Sequence, residues 1–269
     1  MSDVSRVLFH RSSVIVNEDR TVVAAPAGRG IWRMNAEGDW SVLTQGLPAS
    51  VHVNRLQKGN RSLYACTDRG LFRLERESAQ SLDIPLVCYQ FREFGELAFV
   101  ATESGLWSRT GKGWINVAFA KAAVYDFLYF SQYLFLALDI GIAMYDRMTC
   151  AWALFPVGAR LTGLAVFRSR LAGISDRGEL VLGNGQGGFE RIRFPGLFLF
   201  NMISKGGSVY LCADRGLYRL SEIGGRPVVF ALRLGGPITD LDIGEDRVYA
   251  ATLNDGVQIL EGFAVRRDD

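Results

Sequence analysis

The sequence predicts an all-β fold, a seven-bladed β-propeller built from four-stranded antiparallel blades. The first observation is a glycine that recurs seven times, at intervals of 40, 35, 36, 37, 38 and 40 residues. The second is that each of these glycines follows one short apolar run and precedes another, most clearly in 63–74 and 210–220. A repeat of roughly 40 residues that is rich in short strands is typical of a propeller, with one blade per repeat. The recurring glycines are Gly30, Gly70, Gly105, Gly141, Gly178, Gly216 and Gly256.

The repeat fills the chain from about Val14 to the end, so we predict a single propeller domain over residues 1–269. A chain of this length buries roughly three quarters of its unfolded surface, which suits one closed domain. The predicted blades span about 11–48, 49–85, 86–121, 122–158, 159–195, 196–235 and 236–269, with 4–10 added to the last.

The last repeat shows how each blade is divided into strands. Alternation of apolar and polar residues in 238–243 predicts an innermost strand A, 247–252 a strand B, and 257–260 a strand C. Gly244–Asp246 and Asn254–Gly256 supply the turns between them. The outer strand D has a weaker pattern. Its candidates are 40–43, 114–117, 151–154, 189–193 and 228–230.

The recurring glycine is expected in the turn between strands B and C, where it adopts a positive φ without a Cβ clash. An Asp or Asn two residues earlier is expected to bond the turn backbone. A large side chain two residues after the glycine is expected to pack against a neighbouring blade. The first set is Asp68, Asp139, Asp176, Asp214 and Asn254, and the second is Trp32, Phe72, Trp107 and Tyr218.

Two segments compete to complete the last blade. Residues 5–10 resemble 190–194, which precede the sixth blade, so the N-terminal segment is expected to supply the outer strand of blade seven. That arrangement would join both ends of the chain and remove an open edge. The alternative is that residues 263–267 fill the same place.

The turn pattern Thr/Ala-x-Asp-x-Gly-Leu-aromatic-Arg resembles the short propeller repeats of two-component-regulator sensor domains. It is also similar to the Asp-box (BNR-like) repeats of sialidase-type propellers. The resemblance covers all seven repeats and implies the propeller fold. Asp-box repeats have Ser or Thr two residues before the Asp, whereas here Thr67 directly precedes Asp68 and Ser175 directly precedes Asp176. The resemblance therefore implies no catalytic residue.

Composition limits the function classes and the location. The net charge of +2 gives no global attraction to nucleic acid, and the near-neutral balance argues against a nucleic-acid partner. The N-terminus carries no signal-peptide pattern. The apolar stretch 124–144 contains two Asp residues and keeps the register of the repeat, so we predict two strands rather than a membrane span. No Cys-x-x-Cys pair occurs, and four buried free thiols predict a cytoplasmic protein.

One candidate site lies in the A strands, where one residue per blade is expected to face the central channel. Counting back from each turn glycine, we expect channel residues at Arg55, Gln90, Asp126, Asn201 and Asp240, with Gly163 and Ile15 in the remaining aligned blades. Asp126, Asn201 and Asp240 carry the oxygen ligands that Ca²⁺ prefers, as in sugar-lactone-hydrolysing propellers. The alternative, which we favour, is that polar residues simply line a water-filled channel and no cofactor is bound.

A second candidate site is a set of arginines that directly precede the turn glycine in four blades. On a tight turn each guanidinium is expected to point outward, available to a carboxylate or a phosphate. The alternative is a repeat residue bonded to the turn of a neighbouring blade. The four residues are Arg29, Arg69, Arg177 and Arg215.

The leading hypothesis is a non-enzymatic scaffold that binds another protein in a cytoplasmic, bacterial complex. Blade lengths of 35 to 40 residues leave no long insertions of the kind that build enzyme pockets. The alternatives are a sugar or lactone hydrolase that uses Asp126 and Asp240, and a carbohydrate-binding propeller. A small-molecule ligand and membrane insertion are both disfavoured. Neither a Walker loop nor a nucleophile motif occurs.

Overall fold

The computed structural model describes residues 13–16, 21–35, 37–43, 45–244 and 247–260. These residues form β-strands joined by turns and contain no helix. In this part of the chain there is therefore no helix long and apolar enough to cross a membrane. The apolar stretch 124–144 belongs to strands, as predicted. The segments proposed to complete the last blade, 4–10 and 263–267, lie outside the described residues, as does most of the predicted turn Gly244–Asp246.

The chain divides into two compact units, Met1–Val124 with Asp240–Phe263 and Tyr125–Thr239 with Ala264–Asp269. The described strands of the first unit are β1 (Ser13–Val16), β2 (Val22–Ala25), β3 (Ile31–Met34), β4 (Trp40–Leu43), β5 (Val53–Lys58), β6 (Leu63–Thr67), β7 (Gly70–Leu74), β8 (Ala79–Ser81), β9 (Cys88–Phe94), β10 (Leu97–Thr102), β11 (Gly105–Thr110), β12 (Gly113–Ala118), β25 (Ile238–Ile243), β26 (Val248–Thr252) and β27 (Val257–Leu260).

The second unit contains twelve consecutive strands. They are β13 (Val124–Tyr129), β14 (Tyr133–Leu138), β15 (Gly141–Asp146), β16 (Ala151–Pro156), β17 (Leu161–Phe167), β18 (Arg170–Ser175), β19 (Leu180–Gly183), β20 (Phe189–Ile192), β21 (Leu199–Lys205), β22 (Ser208–Ala213), β23 (Gly216–Ile223) and β24 (Arg226–Leu234).

Consecutive strands pair into seven separate sheets. Six sheets have four strands in chain order, and the described part of the seventh has three, β25 to β27. The registers show antiparallel hairpins throughout, for example β5 with β6 and β6 with β7. The protein is therefore an all-β, seven-bladed propeller with four-stranded antiparallel blades, as the repeat predicts. Whether 1–269 forms one domain stays a prediction.

The core lies between successive blades, because each blade buries both faces of its inner strands. Every residue of β2, β6 and β26 is buried. One apolar cluster joins blades one and two, another joins blades two and three, and a third joins blades five and six. Phe72 and Tyr218 belong to these clusters and Trp107 packs against one, so three of the four large side chains after the glycines pack as predicted.

The seven recurring glycines all have positive φ values, which confirms their predicted place in the B–C turn. At Gly216 two separate requirements favour glycine. Its φ is +137°, and a Cβ there would lie 1.9 Å from the carbonyl oxygen of Arg233 on strand D. Glycine at this position is therefore required both by the turn and by the close approach of the outer strand.

The cysteines differ in one respect from the prediction of four buried thiols. Cys66, Cys88 and Cys212 are buried, whereas Cys150 is exposed, and all four are free. Burial raises the pKa of the Cys66 thiol to about 12 and also raises that of Cys88. Cys150 lies in the hairpin between β15 and β16, at the surface end of blade four, so the core does not cover it.

Candidate partner-binding site

The four arginines that precede the turn glycines are all exposed in the structure. Among the described residues, the side chains of Arg29, Arg177 and Arg215 have no hydrogen-bond or ion-pair partner. Within the same described ranges, the Arg69 side chain has one long ion-pair contact, 3.9 Å from its Nε to Asp68 Oδ2, and is 63% exposed. The outward orientation expected from the sequence is therefore present at each of the four turns. That these residues bind a partner stays a prediction.

The Asp residues that precede Arg69 and Arg215 each bond the residue that enters strand A of their blade. Asp68 Oδ1 accepts the backbone N–H of His52 at 2.9 Å, and Asp214 Oδ1 accepts that of Phe198 at 2.9 Å. The pairing is reciprocal. The backbone N–H of Asp68 donates to the carbonyl of His52, and that of Asp214 donates to the carbonyl of Phe198, each at 3.0 Å. The prediction that this Asp bonds the turn backbone was wrong in these blades, because the carboxylate anchors the residue that enters strand A.

In blade two the turn backbone is instead held by a hydroxyl one residue earlier. Thr67 Oγ1 accepts the N–H of Arg69 at 3.0 Å and donates to the carbonyl of Gly70 at 2.7 Å. Sequence reasoning missed this role. The signal was the recurrence of a hydroxyl residue at one repeat position, which comprises Thr67, Thr102, Ser175 and Thr252.

In the second unit a rigid loop lies between two of the arginine turns. On one side the ring of Phe198 packs against Gly178, and the N–H of Leu199 donates to the carbonyl of Gly178 at 3.2 Å. On the other side the guanidinium of Arg215 lies over Gly196, 3.4 Å from where a Cβ would stand. Arg177 and Arg215 therefore flank the loop 194–198.

In the first unit the arginine turns have the same local design. The imidazole of His52, the residue that enters strand A of blade two, lies against Gly28 in the turn of blade one, 3.5 Å from where a Cβ would stand. The backbone of His52 is paired with Asp68 in the next turn. The entry residue thus connects the turn that carries Arg29 with the turn that carries Arg69.

The residues expected to line the channel follow a bulge in strand A. In β5 the register steps from Val53–Thr67 to Arg55–Cys66, so Asn54 is the extra residue. The same step occurs in β9, β17 and β21. A bulge bends a strand and re-aims the next side chain. The residues that follow directly are Arg55, Gln90, Gly163 and Asn201, all of them predicted channel positions.

The channel carboxylates are buried and hydrogen-bonded to neighbouring inner strands. Asp126, 2% exposed, accepts the N–H of Phe127 at 2.7 Å and that of Leu164 in the next blade at 2.9 Å. Asp240 accepts the hydroxyl of Ser13 at 2.5 Å and the N–H of Val14 at 3.3 Å. Each carboxylate therefore holds two blades together at their innermost strands.

The remaining channel candidates divide between the two units. Gln90 is buried on β9 and Arg55 half-buried on β5 in the first unit, and Asn201 is buried on β21 in the second. In the second unit Asp126 Oδ2 and Asn201 Oδ1 both lie about 4 Å from the position of a Cβ on Gly163. Throughout the described ranges, no group of three or more His, Cys, Asp or Glu residues has the arrangement of a metal site. Binding of Ca²⁺ by Asp126, Asn201 and Asp240 stays a prediction.

No family model and no curated protein matches this chain. Solved structures do match it. The extracellular domain of the hybrid two component system BT4673 from B. thetaiotaomicron superposes with a TM-score of 0.71 at 14% identity. The match covers 93% of this chain and 40% of that one, so this chain spans well under half the length of that relative.

Two other matches cover nearly the whole of both chains. Catalytically inactive virginiamycin B lyase from Staphylococcus aureus gives a TM-score of 0.70 at 10% identity, over 93% of this chain and 94% of the lyase. The WD40 β-propeller domain of Doa1 gives 0.66 at 14% identity, over 94% and 93%. Because these proteins include a lyase, an extracellular domain of a two component system and a WD40 domain, the likeness establishes the propeller fold and leaves function to the residues of this chain.

Proposed function

We propose that this chain is a non-enzymatic interaction module that binds a partner protein through its B–C turns. The observation that carries the proposal is the set of four exposed arginines at equivalent turns, three of them without a partner among the described residues. A guanidinium that has no partner in the described part of its chain is available to bind an acidic group of another molecule.

Two of the turns that carry these arginines, in blades two and five, are held by side-chain hydrogen bonds from Thr67 and Ser175. In blade two Thr67 fixes the turn backbone, and the Asp68–His52 pair fixes its position against the entering strand. A surface that is rigid before binding loses little conformational entropy when the partner arrives. Short, well-bonded turns are therefore better suited to recognising a partner than to closing over a substrate.

The inner strands support a non-catalytic function. Asp126 and Asp240, the carboxylates that a channel hydrolase would need, accept backbone and hydroxyl hydrogen bonds that join adjacent blades. A carboxylate with these hydrogen bonds stabilises the folded protein. We place the module in a cytoplasmic, bacterial complex, as composition and cysteine usage predict.

Affinity purification of the tagged chain from its native cell, followed by mass spectrometry, tests this proposal. We expect a stoichiometric partner that is lost in the Arg69→Glu/Arg215→Glu variant. The matched control is Arg109→Glu/Arg226→Glu, which makes the same charge change at two exposed arginines on C–D hairpins. Equal retention by both variants, or loss by both, would contradict binding through the B–C turns.

A further inference from the structure

At the B–C turn end of blades five and six, the turn arginines are more exposed than the aspartates that precede them. Arg177, Arg193 and Arg215 are exposed, whereas Asp176 and Asp214, which directly precede two of them, are half-buried. Asp214 accepts the N–H of Phe198. The carboxylates next to the two turn arginines are therefore less accessible than the guanidinium groups, and the exposed Glu190 lies on strand β20.

Glu179 shows the same difference in exposure in blade five. It occupies the position directly after the turn glycine, where blades two and three have the buried residues Leu71 and Leu106. Its residue is 9% exposed, and its Oε1 lies 3.2 Å from Nη2 of Arg193, whose side chain remains 68% exposed. Glu179 thus forms an ion pair with the guanidinium of Arg193, while most of that side chain stays accessible.

The loop between the two turns is hydrogen-bonded to both of them. Loop 194–198 is bonded to the blade-five turn through Leu199 and Gly178, and to the blade-six turn through Phe198 and Asp214. The guanidinium of Arg215 packs over Gly196, which is exposed. The exposed arginines therefore lie on either side of a fixed loop rather than on separate mobile segments.

We propose that this surface, the acidic-segment site formed by Arg177, Arg193, Arg215 and loop 194–198, binds a segment of a partner protein rich in Asp and Glu. The inference rests on the proposed function and adds the chemistry of the partner. Carboxylates suit the site because guanidinium groups pair with them in planar, often bidentate geometry. One face of an extended acidic segment presents a carboxylate about every 6.6 Å, that is every second residue, so several arginines are reached without a fixed register.

The test uses the purified full chain and a fluorescein-labelled peptide of alternating Glu and Gly, followed by fluorescence anisotropy. A Gln–Gly peptide of equal length and a single-stranded oligo(dT) of equal charge serve as competing probes. We expect binding of the Glu peptide only, weakened at least about threefold between about 50 and about 200 mM NaCl because screening shortens the range of exposed charges.

Matched variants assign the binding to the surface. Arg177→Glu/Arg215→Glu should reduce affinity for the Glu peptide at least about tenfold. Lys205→Glu/Arg226→Glu changes two exposed residues at the A–B and C–D hairpins of blade six, opposite the B–C turn, and should reduce affinity less than about twofold. Thermal unfolding of each variant checks that it is folded. An equal loss in both variants, or binding of oligo(dT) as tight as that of the Glu peptide, would overturn the inference.

The same experiment separates this inference from the proposed function. If the Glu peptide does not bind but a cellular partner still requires Arg215, the acidic-segment site is wrong and the interaction module stands. If neither the peptide nor a partner depends on these arginines, both proposals fail.

Discussion

The carboxylate of Asp126 on β13 accepts the backbone N–H of Leu164 on β17 at 2.9 Å, although 38 residues separate them. Its other oxygen accepts the N–H of Phe127 at 2.7 Å. One buried side chain thus satisfies two buried backbone donors and joins the innermost strands of blades four and five. A residue that the sequence predicts as a channel ligand therefore connects two blades in the structure.

Replacing Asp126 should destabilise the protein. Asp126→Ala leaves two buried N–H groups unsatisfied, so we expect the free energy of unfolding to fall by about 2–4 kcal/mol. Asp126→Asn retains one acceptor oxygen and should lose about half as much. Urea unfolding of both variants measures the difference. Wild-type stability in Asp126→Ala would show that the carboxylate does not hold the blades together.

Ser13 and Asp240 should prove energetically coupled. Ser13 Oγ donates to Asp240 Oδ2 and accepts the N–H of Leu56 at 3.1 Å, so one hydroxyl serves strands β1, β5 and β25. We expect Ser13→Ala to cost about 1–3 kcal/mol and a double-mutant cycle with Asp240→Ala to give a coupling above about 0.5 kcal/mol. The exposed Ser41→Ala is the control and should stay within about 0.5 kcal/mol of wild type. Additive effects in the cycle would rule out the shared bond.

Two turn glycines should differ in their tolerance of alanine. Gly256→Ala imposes only the strain of a positive φ, because a Cβ would meet no atom within 4 Å, and should cost about 1 kcal/mol. Gly216→Ala adds a clash with the Arg233 carbonyl and should cost about 3 kcal/mol or more. Thermal or urea unfolding of the pair tests this order. Equal losses of stability in the two variants would mean that strand D of blade six shifts to accommodate the added Cβ at little energetic cost.

The thiols should differ in reactivity. In the native protein iodoacetamide at pH 8 should label Cys150 alone, because Cys66, Cys88 and Cys212 are buried and the pKa of Cys66 is about 12. Since the thiolate is the reactive form, the buried thiols become reactive only when the chain opens. Mass spectrometry of native and urea-unfolded samples should show one and four labels, respectively. Labelling of Cys66 at the rate of Cys150 would contradict its burial.

The predictions from sequence succeeded where one residue imposes a local requirement. The turn glycines were identified because a positive φ restricts residue type at a fixed place in each repeat. Strands β4, β25 and β27 were predicted with the bounds that the structure has, since period-two patterning and turn residues delimit short strands. The exposure of Arg69 and Arg215 followed from their places on tight turns.

Predictions that depended on a distant partner did less well. Asp68 and Asp214 were expected to bond their own turns, but each bonds the residue 16 positions earlier that enters strand A. The role of Thr67 was missed because the recurrence of a hydroxyl residue at the end of strand B does not itself show which turn groups that hydroxyl bonds. Asp126 had the residue type and position of a metal ligand, and its hydrogen bonds to two backbone donors were not visible from its own repeat.

The sequence by itself determined the repeat, the number of blades and the places of their turns. These follow from φ preferences and from alternating burial, which act over a few neighbouring residues. Only the tertiary structure decided that the inner carboxylates join adjacent blades and that Asp68 and Asp214 bond the residues that enter strand A while the arginines stay exposed. The physical reason is that a buried polar group must find a hydrogen-bond partner, and which partner is within reach depends on how residues of different blades are brought together.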